Sequence, residues 1–138
     1  MQHYWLVKSD PDTYSFYDLV KDGSTSWDGV RNYAARNFLR EMKKGDAVLV
    51  YHSGGESSVV GLATVSKEPY VDPTAENDTW TSVELKAGKQ LMNAVALAQI
   101  KKESVLKDIS LIKISRLSVM PVTKEHYTKI LQMSSRTN

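Results

Sequence analysis

Apolar residues along the chain fall mostly into short runs, one of them at helical spacing, separated by clusters of Gly, Pro, Asn and Asp. His3 to Val7 reads as a strand with Trp5 and Val7 on one face and Tyr4 and Leu6 on the other, so it should be buried on both sides. Lys8-Ser9-Asp10-Pro11 breaks it. Ser15 and Asp18 resemble a capping box for a helix from Ser15 to Asp22 that Gly23 closes. Gly23 to Ser26 is a small-residue loop leading into Trp27. Asn32 to about Lys43 is the clearest amphipathic helix, with Ala34, Ala35, Phe38, Leu39 and Met42 in one stripe. Arg36, Arg40 and Lys43 fall opposite that stripe, with Tyr33 and Asn37 beside them, and Lys43-Lys44-Gly45 is the stop signal.

Asp46 to Ser53 alternates apolar residues on both faces and ends in the polar tip Tyr51-His52-Ser53. Gly54-Gly55-Glu56 turns the chain, and Ser58 to Ser66 returns with Gly61 and Ala63 on one face, where something approaches closely. Tyr70 to Asp78 is loop, Trp80 to Lys86 and Val95 to Ile100 read as strands, and Glu103 to Asp108 as a helical turn or two. From Leu111 to Met120 the alternation slips near Ser115-Arg116, which predicts a strand with a β-bulge that re-aims Arg116. Pro121 ends that strand, Thr123 caps a final helix to Met133, and the tail from Ser134 frays. This order, without strict βαβ alternation, predicts a single α+β domain over residues 1–138. Its strands would close into a mixed barrel or half-barrel with helices at the mouth.

The composition narrows the function more than the fold. A chain of 138 residues, 41% hydrophobic and 25% charged, builds a core without staples. The absence of cysteine excludes disulfides, thiolate zinc sites and thiol catalysis, and fits a reducing cytoplasm. No apolar run is long enough to span a membrane, the first residues lack signal-peptide anatomy, and no basic amphipathic segment suits a membrane surface. A net charge of +2 is too small for a protein that wraps duplex DNA through many phosphates, so any grip on nucleic acid is local.

That grip is expected in Trp27 to Asn37, where a Trp, a Tyr, two Arg and two Asn crowd around one Gly. Stacking faces, bidentate donors and amide edges are what holds a nucleotide outside a helix. Trp27 is the first candidate platform. Trp5 is the second, weighed against a place in the core. Asn32, Asn37, Ser9 and Ser53 offer hydrogen bonds to a pyrimidine edge, and His52 donates or accepts according to its tautomer. Arg31, Arg36 and Arg116 suit phosphates or the face of a base, with pairing to Asp28 or Glu41 as the structural alternative for Arg31 and Arg36. Arg40, Lys43 and Lys44 read as a solvated face, and Tyr70 and Trp80 as core or rim. Catalysis is not expected. His52 and Ser53 point to opposite faces of a strand, and no phosphate loop, paired-His zinc motif or nucleophile elbow is present.

Several of these stretches belong to one series: Tyr4-Trp5-Leu6-Val7-Lys8-Ser9-Asp10-Pro11, Trp27-Asp28-Gly29-Val30-Arg31-Asn32-Tyr33, Ala35-Arg36-Asn37, Tyr51-His52-Ser53 and Arg116-Leu117-Ser118-Val119-Met120-Pro121-Val122. The series resembles the EVE-domain family over essentially the whole chain. The resemblance implies a PUA-like fold, related to YTH and ASCH domains, and a non-enzymatic module that reads a modified base. Modified cytosine in DNA is favoured, with RNA as the alternative ligand. No cofactor and no metal are expected, and the resemblance adds Gly29, Val30, Tyr51 and Ser118 to the expected binding residues. The chain departs from the family at Ala34, where Gln is usual, and no ligand contact is carried to that position.

Overall fold

The computed structural model describes residues 2–55 and 57–135. Among them, β1 (Tyr4–Ser9), β2 (Ser24–Trp27), β3 (Ala47–His52), β4 (Ser58–Val71), β5 (Thr81–Ala96) and β6 (Val119–Val122) form one mixed sheet in the order β2-β5-β4-β3-β1-β6. The helices are α1 (Phe16–Asp22), α2 (Tyr33–Glu41), α3 (Leu97–Lys101), α4 (Ser110–Lys113) and α5 (Lys124–Ser135). β1 runs parallel to β3, Tyr4 opposite Ala47 through Ser9 opposite His52, and every other neighbouring pair is antiparallel. Trp5, Leu6 and Val7 and the whole of β3 are buried, as near-continuous apolar runs in central strands require.

The sheet is curled. β1 and β2 stand four strand spacings apart in the order, roughly 19 Å in a flat sheet. Yet Tyr14, just after β1, lies with its ring centroid 6.3 Å from that of Trp27 at the end of β2. Register shifts along β4 and β5 around Gly61 and between Val65 and Tyr70 provide the bends. Phe16, fully buried at the start of α1, sits over Gly61 so closely that a Cβ there would come within 2.4 Å of its ring. This is the close approach that Gly61 and Ala63 foretold. The result is the α+β half-barrel with helices at its mouth.

Local signals explain the helix ends. Ser15 Oγ accepts from the Asp18 N–H and Asp18 accepts from the Ser15 N–H, completing the capping box, and Gly23 closes α1 at φ 83°. Asn32 caps α2 through Ala35, and Thr123 Oγ1 accepts from the His126 N–H at the start of α5.

The structure corrects six of the sequence expectations. The expected loop from Gly23 to Ser26 is mostly β2, an edge strand of polar residues whose pairing with Val83 to Lys86 decides its conformation. Trp80–Lys86 and Val95–Ile100 are not separate strands. β5 runs unbroken from Thr81 to Ala96 through the solvated Lys86–Gln90, and Leu97 onward is α3. The slip near Ser115-Arg116 is no bulge but a change of period, with α4 before it and β6 after. Pro121 lies inside β6 opposite Trp5, tolerated because β6 is an edge. Ala34 is exposed, so the buried contacts of α2 come from Ala35 and Leu39. Ser134 and Ser135 belong to α5, while Glu56 and residues 136–138 lie outside the described residues.

Candidate nucleic-acid interface

A pocket of about 550 Å³ opens where the end of β1, the loop before α1, the end of β2 and the residue before β6 meet. That volume suits a small-molecule or nucleotide-sized guest. Of the expected binding residues, Ser9, Trp27, Gly29, Val30, Arg31 and Ser118 line it. Four more lining residues, Lys8, Asp10, Tyr14 and Asp28, carry chemistry that sequence reasoning did not assign to it. Trp27 is half-buried, and Tyr14 meets it edge-on at 81°.

The wall from Asp28 to Arg31 is held by a residue that sequence reasoning passed over. Asp72, at the end of β4, is buried, and its carboxylate accepts from the Gly29 N–H at 2.8 Å and from Arg31 Nη1 at 2.9 Å. The Thr74 N–H and hydroxyl both donate to its other oxygen at 2.7 Å. Burial pushes this carboxyl up, but the bonds from Thr74, Arg31 and Gly29 outweigh it and hold the pKa down to about 2. The only sequence sign was Asp72-Pro73-Thr74, a turn signature in which the Asp side chain bonds its own backbone two residues on. Its partners more than forty positions away were invisible.

Elsewhere the pocket's polar groups are largely engaged. Ser9 Oγ donates to the Tyr14 carbonyl, Ser26 and Tyr70 share a hydroxyl pair at 2.6 Å, and Asp10 accepts from the Asp12 N–H. Lys8 Nζ donates to the Ser115 carbonyl at 2.7 Å, and burial lowers its pKa.

The remaining expected residues lie outside the pocket lining. Tyr33, Arg36 and Asn37 form part of a ledge beside the pocket. The Tyr33 ring, 63% exposed, lies 5.1 Å from that of Trp80, with Arg36 5.0 Å from Tyr33 and Arg31 5.6 Å from Trp80. Arg36 also grips Asn37 Oδ1 through two nitrogens, and Arg36 and Arg40 both donate to the Thr79 carbonyl. Arg31 therefore pairs with Asp72 and Arg36 with Asn37, rather than with Asp28 or Glu41. Asn32 spends its side-chain oxygen on capping.

Tyr51 and His52 belong to the core rather than the pocket. His52 is fully buried, and its Nε2 accepts the Phe16 N–H at 2.9 Å, which fixes the first residue of α1. The Ser53 N–H donates to the Ser9 carbonyl, tying the ends of β1 and β3 together. Trp5 is also core, with its Nε1–H donated to buried Asp46 at 3.0 Å. Arg116 is exposed in the turn before β6 and does not line the pocket. Among the described residues no cluster of His, Cys, Asp or Glu could hold a metal ion, and no helix is long and apolar enough to cross a membrane.

This geometry can be set beside known proteins. The EVE domain model matches residues 3–133. Thymocyte nuclear protein 1 of Danio rerio is 33% identical over 95% of this chain and 71% of its own. A crystal structure from Agrobacterium tumefaciens superposes with a TM-score of 0.94 at 39% identity, covering 96% of this chain and 93% of that one. The human THYN1 protein, solved in complex with 5-methylcytosine-containing DNA, superposes with a TM-score of 0.92 at 30% identity, over 99% of this chain and 100% of that one. The motif series, the fold and the family match agree across nearly the whole chain, which belongs to the EVE domain family.

Proposed function

We propose that this chain is a non-enzymatic module that holds one base of a nucleic-acid strand in the pocket beside Trp27, with modified cytosine in DNA as the favoured ligand. The observation that carries this reading is the half-open pocket with an indole at its wall, in a fold shared with a relative solved in complex with 5-methylcytosine-containing DNA. A base must leave its stack to enter, at a cost of a few kcal/mol. Stacking on Trp27 returns about 1–3 kcal/mol, and the hydroxyl of Ser118 in the pocket lining supplies a polar contact to its edge. The Arg31–Trp80–Tyr33–Arg36 ledge continues from the pocket wall. Alternating guanidinium and aromatic faces suit the flanking strand, where phosphates and stacked bases alternate.

The modest net charge agrees with such a local grip. Binding measured by fluorescence anisotropy on matched single strands tests the reading. The strands carry 5-methylcytosine, cytosine or an abasic site at one position, with the RNA counterpart alongside. The 5-methylcytosine DNA strand should bind tightest and the abasic strand weakest. Equal affinity for those two would end this reading, and a preference for RNA would keep the pocket but change the ligand.

A further inference from the structure

Resting on that reading of the pocket, we propose that Asp28 decides which pyrimidine is accepted, selecting an amine over a carbonyl at ring position 4. The residue follows Trp27 directly and lines the same pocket, so a ring laid against the indole shares its cavity with Asp28. It differs from the other charged residues of the lining in having no hydrogen-bond partner from another described residue. Lys8, Ser9, Asp10, Ser26 and Arg31 are each engaged within the protein, whereas no hydrogen bond or ion pair from another described residue reaches the Asp28 carboxylate. Partial desolvation, and then the negative charge of Asp72 nearby, raise its pKa against the smaller opposing pull of Arg31 and of its own backbone N–H, so an incoming N–H donor relieves an unfavourable charge.

A carboxylate can only accept. Cytosine offers it an exocyclic N4–H donor, while thymine and uracil place a carbonyl oxygen at the same position and are repelled. 5-Methylcytosine and thymine share the ring and the C5 methyl group and differ on this edge. Stacking on Trp27 and contacts to the methyl cannot tell them apart, and the work falls to a residue such as Asp28.

The test compares single strands that differ only in one base, 5-methylcytosine, thymine or an abasic site. Single strands remove the pairing cost that would favour a mismatched thymine in a duplex. The wild-type protein should bind 5-methylcytosine about tenfold or more tighter than thymine. In Asp28→Asn the carboxamide can accept from an amine or donate to a carbonyl, so the ratio should fall to about one while both strands still bind better than the abasic one. The exposed position of Asp28 leaves the fold intact in this variant, which an unchanged melting temperature checks. A wild-type ratio near one, or a ratio that survives Asp28→Asn, overturns the assignment of Asp28 alone. Binding of all strands no better than the abasic strand overturns this inference together with the pocket reading beneath it.

Discussion

Replacing Trp27 by alanine is expected to weaken binding of the 5-methylcytosine strand roughly 5- to 150-fold, the equivalent of about 1–3 kcal/mol of lost stacking. The indole ends β2 at the pocket mouth, with Tyr14 set edge-on against it, so no other lining ring can take over its face. Part of the Trp27 side chain also packs on the core, and its truncation lowers the melting temperature somewhat. Trp27→Phe separates the two effects. It keeps an aromatic face and the β2 pairing, and should recover most of the affinity. Binding left unchanged in Trp27→Ala would mean that the strand passes elsewhere, and the ledge around Tyr33 would be the first place to look.

The second large effect is on stability. Asp72→Ala removes an acceptor that satisfies the Gly29 N–H, two Thr74 donors and Arg31 at once. Leaving these donors unpaired should cost about 3 kcal/mol, moderated because Arg31 keeps some access to water. For a chain of this size that lowers the melting temperature by roughly 10 °C. The sign of the pH dependence follows from the depressed pKa. A carboxyl at about 2 when folded and 3.8 when unfolded adds stability that is present in full above 3.8. That contribution, about 2 kcal/mol by linkage, disappears as pH falls through 2. Denaturation curves of wild type and Asp72→Ala should therefore converge with acidification. Curves that stay parallel from neutral pH to below 3 would show that the charge of Asp72 is not what holds the wall. The variant should also bind more weakly, because Asp28 to Arg31 lose their anchor.

Legibility in the sequence tracked how local each determinant is. The strands β1 and β3 announced themselves as continuous apolar runs, and α1 and α5 through their caps, because those signals lie within a few residues. β2 was hidden, since an edge strand of Ser24-Thr25-Ser26-Trp27 owes its form to pairing with β5 some sixty positions later. The switch from α4 to β6 imitated a bulge because a helix and a strand meeting head to tail also shift the apolar period. The pocket was half legible. Trp27, Gly29, Val30 and Arg31 are contiguous, and Ser9 and Ser118 lie in recognisable motifs. Asp72 and Trp80 were not, because their partners are Gly29, Arg31 and Tyr33, all distant in the chain. His52 misled in the other direction. A polar residue at a strand tip resembles a site residue, yet here it replaces a missing helical partner for the Phe16 N–H.

The central claim, that the base enters the pocket beside Trp27, is tested most directly by the position of the base itself. A strand carrying 5-methylcytosine with a carbon-13-labelled methyl group can be followed by NMR in complex with the protein. The account predicts nuclear Overhauser contacts from that methyl to the indole protons of Trp27 and the ring protons of Tyr14. Contacts confined to Tyr33 and Trp80, with none to Trp27, would contradict it.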